Sequence, residues 1–276
     1  MTLANLLDKP FTNPFISFYD RVLSAFEDSY NKNIDSRELK LPENFKAEIN
    51  NKTYSIYPIE IAYSYDAPKN FRAMLCFQAY SAYTSWLDEL NAEFFTNTDT
   101  APELLIFNMD AIDGRLPLIE CPAEWFAIYS NYKIKLCDYE NNIFLLERIK
   151  SKTKGLKEFD TREIKINEPI EIPDNVCVMR VNFKLNTYGK IIKTLYSIPA
   201  VNMKINYHDG TEIQGRIIPD TLTNDLIISN ILTTLKDFEL FMSGDKNIRR
   251  VKSIEISGAG LKYYEPDLKI VFSEIL

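Results

Sequence analysis

Histidine is nearly absent: His208 is the only one in 276 residues. One imidazole cannot build a histidine-based triad or a multi-histidine metal site. Glycine is scarce as well, at 8 residues. No GxGxxG, GxxxxGKS/T or GxSxG run occurs, which removes the glycine-rich phosphate cradles and the nucleophile elbow. The four cysteines, Cys76, Cys121, Cys137 and Cys177, contain no CxxC pair. A zinc or redox motif is not supported, and their apolar neighbourhoods read as buried free thiols, with disulfides left open. No cofactor is expected. No apolar run approaches the ~20 residues that span a bilayer. The opening MTLANLLDKPFTNPF has neither a basic n-region nor a long apolar h-region. Taken as it stands, the chain is expected in the cytoplasm.

Positive charge is thin where a nucleic-acid binder would need it. Formal net charge is −7, and residues 81–130 carry nine acids against one base, Arg115. Replacing the counterions of a polynucleotide requires a basic surface, so no nucleic-acid partner is expected. The run Lys150, Lys152, Lys154, Lys157 reads as a solvated linker.

What the chain has is apolar and aromatic mass. Hydrophobic residues make up 46% and aromatics 13%, including 17 Phe and 16 Tyr. That suits a dense core with many strands, or exposed aromatic surfaces that bind ligands, and it argues against disorder. Asn13-Pro14 opens an amphipathic helix carrying Phe15, Phe18, Tyr19, Val22, Leu23 and Phe26 and ending near Tyr30. Residues 53–57 alternate as a strand, and 59–65 suit a short helix. Residues 72–79 and 104–108 are apolar runs of the kind found in buried parallel strands. Helical patterns follow at 83–95, with Trp86, Leu87, Leu90 and Phe94 on one face, and at 122–132, with Trp125, Phe126 and Tyr129 inward. Residues 132–138 and 142–148 form a hairpin.

The pattern changes near Lys150. Beyond it come strand candidates at 163–167, 176–185, 201–207, 212–218, 225–229, 238–242, 251–257 and 268–273. A helix is expected at 188–196, and His208-Asp209-Gly210 signals a hairpin turn. The expected fold class is α/β followed by all-β. Residues 1–150 form a Rossmann-like three-layer domain with a mostly parallel sheet, 151–157 a linker, and 158–276 a jelly-roll-like β-sandwich.

In a parallel sheet the usable groups lie beyond the carboxyl ends of the strands. Gln78, Tyr80, Ser81 and Tyr83 follow the first buried strand. Asn108, Asp110, Asp113, Gly114 and Arg115 follow the second. Carboxylates and amides that bond hydroxyls, beside aromatic faces that stack on rings, suit a sugar. Asp110 and Asp113 also fit the acid and base of glycoside hydrolysis if their carboxyls share one cleft. The same residues fit a plain turn in which Arg115 pairs with Asp113. Tyr263 and Tyr264 suit an exposed aromatic platform, although strand alternation would turn one of them inward.

Two stretches resemble a known group. Residues 77–95, with Gln78, Tyr80, Ser81 and Tyr83, and residues 101–117, with Asp113, Gly114, Arg115 and Pro117, are similar to the soluble region of large polytopic bacterial membrane proteins. Those proteins have no assigned activity and look like relatives of lipid-linked glycan transferases or surface-polysaccharide proteins. The strand-plus-proline element at 54–60, the stretch around Tyr188-Gly189-Lys190 and the HDG hairpin extend the likeness from about Lys52 onward. The group supplies no catalytic residue. The resemblance implies a non-catalytic recognition or scaffolding region in cell-surface glycan assembly. Its partners would be a glycan or lipid-linked sugar and a membrane-embedded portion, on the extracytoplasmic side if spans precede it. A glycan-acting enzyme and a purely structural interaction module are the alternatives.

Overall fold

The computed structural model describes residues 40–149, 154–175 and 177–276. The helix expected at 14–30 and residues 151–153 of the expected linker fall outside them. Leu41–Leu276 form one compact unit.

Helix α1 (Glu43–Ile49) starts after Pro42. It precedes β1 (Tyr54–Tyr57), a 3-10 helix at Ile61–Asp66, α2 (Ser85–Thr96) and β2 (Leu104–Phe107). Next come α3 (Pro122–Asn131) and the hairpin of β3 (Tyr132–Asp138) and β4 (Ile143–Arg148). These strands form one sheet in the order β1-β2-β4-β3. Only β1 and β2 run parallel; β4 pairs antiparallel with both β2 and β3. β1 and β2 are buried at every position because both faces of the sheet are covered. On one face, Leu41, Phe45 and Ile49 pack on Tyr54, Ile56, Leu104, Ile106, Ile143 and Leu145. On the other, Tyr57, Leu105, Phe107, Phe144 and Leu146 share a core with Trp125 and Ile128 of α3.

The expected Rossmann-like parallel sheet is therefore overturned, and with it the fold class of α/β followed by all-β. The chain is mostly β, with three sheets rich in antiparallel pairs. The physical cause lies in residues 72–79, which make no ladder strand. Only Phe71, just before them, forms an isolated bridge, to Tyr54. The backbone of Cys76 is instead satisfied by one side chain: its N–H donates to Asn91 Oδ1 at 2.9 Å and its carbonyl accepts from Asn91 Nδ2 at 3.1 Å. An amide side chain thus takes the place of a neighbouring strand, and Leu75 and Phe77 turn to solvent.

Beyond residue 153 lie β5 (Leu156–Lys165), β6 (Ile170–Glu171), β7 (Cys177–Asn182), α4 (Thr187–Leu195), β8 (Val201–Tyr207), β9 (Glu212–Ile217) and β10 (Leu226–Ile227). Then follow α5 (Leu235–Ser243), β11 (Val251–Ser257) and β12 (Asp267–Ile275). Eight strands make two four-stranded sheets, β10-β7-β12-β5 and β6-β11-β8-β9. Every pair is antiparallel. In chain order the first sheet runs sixth-third-eighth-first and the second runs second-seventh-fourth-fifth, the double winding of a jelly-roll sandwich. Alternation along β8 (buried at Val201, Met203, Ile205 and Tyr207) faces it onto Met179, Val181, Ile270 and Phe272 of the opposite sheet. Gly210 at φ 84 closes the β8–β9 hairpin, as the Asp-Gly signal requires.

The strand expected at 238–242 is a helix. Thr234 and Asp237 form a capping box, and Gly244 ends α5 in the left-handed region. Leu235, Phe238 and Phe241 recur every three residues, the helical period. α5 leaves the sandwich and fills the face of the mixed sheet: Phe238 stacks on Phe107 at 4.2 Å between centroids and on Trp125 at 5.4 Å. The two halves of Leu41–Leu276 thus share one aromatic core.

Candidate functional site

The loop after β2 returns to the sandwich through Asp113 (φ 56) and Gly114 (φ 68), two successive left-handed residues. Gly114 carbonyl accepts from Arg216 N–H at 2.8 Å. This sharp turn drives Arg115 inward, where its side chain has no exposed surface. Nη1 donates to Glu120 Oε2 at 2.9 Å and to Tyr80 carbonyl at 3.0 Å. Nη2 donates to Tyr83 Oη at 3.1 Å and lies 3.8 Å from Asp113 Oδ2. The guanidinium carbon also sits 5.0 Å from the centre of the Tyr83 ring. Burial pushes the Glu120 carboxyl up, with Arg115 pulling against it.

The residues singled out from the sequence therefore meet, but by another route than adjacent strands. Arg115 ties the 78–83 segment to its own loop. Gln78 and Tyr80 are occupied with each other, Tyr80 Oη donating to Gln78 Oε1 at 2.6 Å. Ser81 lies exposed in a 3-10 turn, Ala79–Ser81. Tyr83 is 49% exposed, and the Asp113 carboxylate is 52% exposed. Asp110 belongs elsewhere: its Oδ2 accepts from Asn108 Nδ2 at 2.6 Å, and burial raises its pKa. Asp110 and Asp113 are held in separate turns with separate partners. Tyr263 is buried and Tyr264 half-buried, so they form no exposed platform.

A second polar cluster was not singled out from the sequence. Helix α2 turns Asp88, Asn91 and Phe95 inward and leaves Trp86 64% exposed. The expected inward face through Trp86, Leu87, Leu90 and Phe94 is rotated. The reason is capping: Asp88 accepts the first free amides of α3, Ala123 N–H and Glu124 N–H, each at 3.0 Å. A carboxylate at a helix N-terminus is favoured by both orphan amides and dipole. Asn224 Nδ2, from the sandwich, also donates to Asp88 at 2.8 Å. Asn91 Nδ2 donates to Glu124 Oε1 at 2.9 Å, while Glu124 Oε2 has no partner. Burial pushes Asp88 up to about 6 against its three donors, and it drives Glu124 far above the usual carboxylate range.

One ligand atom each from Asp88, Cys121 and Glu124 lies within 4.8 Å of the others, a set with the donor types for a divalent ion. The geometry already has another purpose. Asp88 is saturated by backbone and amide donors, and the Cys121 thiol donates to Ala79 carbonyl at 3.1 Å. Burial raises this thiol well above its ordinary pKa, which leaves the group a donor and not a thiolate. Four cysteines, including Cys121, are free. The signal that would have found the cluster was the helical spacing of the polar pair Asp88 and Asn91.

A cleft of about 420 Å³ is lined by Asp174, His208, Asp209, Asn247, Ile248, Arg249 and Arg250; it contains the turn histidine but none of the candidate ligand-contact residues. Among the described residues, no helix is long and apolar enough to cross a membrane. No family model matches the chain, and no curated protein and no solved structure matches it.

Proposed function

We propose that the chain is a non-catalytic recognition module that contacts sugar through Tyr83 and Asp113, in the setting of bacterial cell-surface glycan assembly on the extracytoplasmic side. The supporting observation is the double engagement of Arg115 Nη2 by Tyr83 Oη and Asp113 Oδ2. One buried guanidinium holds an aromatic ring and a carboxylate side by side, both half exposed. A ring that stacks on a sugar face and a carboxylate that accepts from hydroxyls are then ordered before the ligand arrives, which lowers the entropic cost of binding. Trp86, three residues on, is also exposed and offers a second ring. Arg115 itself is a positioning residue, since both of its Nη atoms donate inside the protein and its Nε is buried without a partner. The sandwich fold by itself names no ligand.

A glycan-acting enzyme needs two carboxyls facing one cleft at roughly 5–9.5 Å. Asp110 and Asp113, in separate turns, give that reading no support. Isothermal titration of bacterial surface oligosaccharides tests the proposal. Tyr83→Phe, which keeps the ring but removes the hydroxyl that Arg115 holds, is expected to lose part of the affinity, and Asp113→Asn to lose about tenfold, the worth of one charge-assisted hydrogen bond. Equal affinity for wild type and a Trp86→Ala, Asp113→Asn double variant would remove the proposed surface.

A further inference from the structure

Helix α4 inverts the usual arrangement of a surface helix. Beside the exposed Lys190 and Lys193 it exposes large apolar residues: Tyr188 57%, Ile191 53%, Leu195 66%, and Tyr196 immediately after it 72%. At 100° per residue Tyr188, Ile191, Ile192 and Leu195 form one continuous stripe, with Lys190 and Lys193 on the other side. The helix is clamped to the sandwich by its first turn only. Asn186 Oδ1 caps Gly189 N–H at 2.8 Å, and Asn186 Nδ2 donates to the carbonyls of Lys262 and Tyr264. Gly189 lies against the Tyr263 backbone so closely that a Cβ there would sit 2.0 Å from its carbonyl oxygen. The stripe is thereby fixed at the surface: Tyr188 leans on the Tyr263 ring and Ile192 is half-buried, while Ile191 and Leu195 stay more than half exposed.

The charge around the stripe identifies what does. In a chain of net charge −7, residues 183–208 carry Lys184, Lys190, Lys193 and Lys204 and no acid. Lys262 lies on the connection that clamps the helix. Lys184, Lys190, Lys193 and Lys262 form no ion pair among the described residues, whereas Lys204 pairs with Glu212. Glu265 is the one acid of the 258–266 connection. An apolar, tyrosine-bearing stripe on a helix whose polar face carries lysines and no acid matches an interfacial helix, which sinks its apolar side into the acyl boundary while nearby cations meet anionic headgroups. Self-association about a two-fold axis would instead bring these lysines together with their own copies, and like charges would oppose it.

We infer that α4 is a docking helix for the surface of an anionic lipid bilayer. This goes beyond the sugar-facing loop and does not depend on it. Co-sedimentation with vesicles tests it, using phosphatidylcholine alone and phosphatidylcholine mixed with phosphatidylglycerol. Binding to the mixed vesicles, weakening with salt, is expected. Ile191→Asp with Leu195→Asp should abolish it, while Lys190→Glu and Lys193→Glu should each weaken it at least fivefold, since each basic side chain near the surface contributes on the order of 1 kcal/mol. The exposed face makes these variants fold as the wild type does, which melting checks. No sedimentation with either vesicle overturns the inference. So does a concentration-dependent dimer in solution that the double aspartate variant dissolves, because the stripe would then belong to a second copy.

Discussion

Helices α2 and α4 both break the rule that apolar residues go in and polar ones out, and they break it in opposite directions. α2 buries Asp88 and Asn91 and exposes Trp86. α4 exposes Tyr188, Ile191 and Leu195 and buries only Gly189. In α2 the inverted groups are matched inside the protein: three N–H donors reach Asp88, and Asn91 ties Cys76 to Glu124. In α4 only Tyr188 meets a partner, the Tyr263 ring, and Ile191 and Leu195 stay exposed. An inversion closed by internal hydrogen bonds is architecture; one left open faces a partner.

The largest expected effect comes from breaking the closed inversion. Asp88→Ala uncaps α3 and strands Asn224 and two amides in the interior, at a cost of about 3–5 kcal/mol, read by urea unfolding. Glu124→Gln sharpens the same point through pH. The Glu124 carboxyl has its folded pKa raised above 4.5 by burial, so its contribution is full below that value and is lost as pH rises toward the folded pKa. Asp88 and Glu120 are raised by burial as well, so Glu124 adds its own part to a shared fall in stability. That part amounts to at most about 1.4 kcal/mol per pH unit. The glutamine variant should show a shallower fall than the wild type in unfolding curves taken from about pH 4.5 upward. Gly189→Ala tests how α4 is held: the new methyl collides with backbone, so a loss of about 1–3 kcal/mol and freer amide exchange across residues 187–195 are expected. Smallest of all is the open inversion itself. Ile191→Asp with Leu195→Asp should shift stability by no more than about 0.5 kcal/mol.

Several elements were legible in the sequence because their signals are local. The β8–β9 hairpin follows from alternation and His208-Asp209-Gly210, and β11 matches its expected bounds of 251–257. The mixed sheet was not legible because apolar runs do not state their direction. Residues 72–79 read as a strand until Asn91, fifteen positions away, supplies the hydrogen bonds a ladder would have given. α5 was missed because a run of nine residues with phenylalanines three apart fits a short strand until its capping box is weighed. At the loop, Arg115 was rightly suspected of pairing. Its nearer partner is Glu120 at 2.9 Å, with Asp113 at 3.8 Å. Which of two nearby carboxylates wins depends on the left-handed turn at Asp113-Gly114, which residue types alone do not fix.

The sealed Arg115 and the surface it presents have separate roles, one structural and one facing the ligand. Sugar affinity and melting temperature measured together for Asp113→Asn with Trp86→Ala test that division most directly. The expected result is affinity lost with the melting temperature held within a few degrees, because both side chains are exposed. Affinity unchanged, or lost only in step with unfolding, would contradict it.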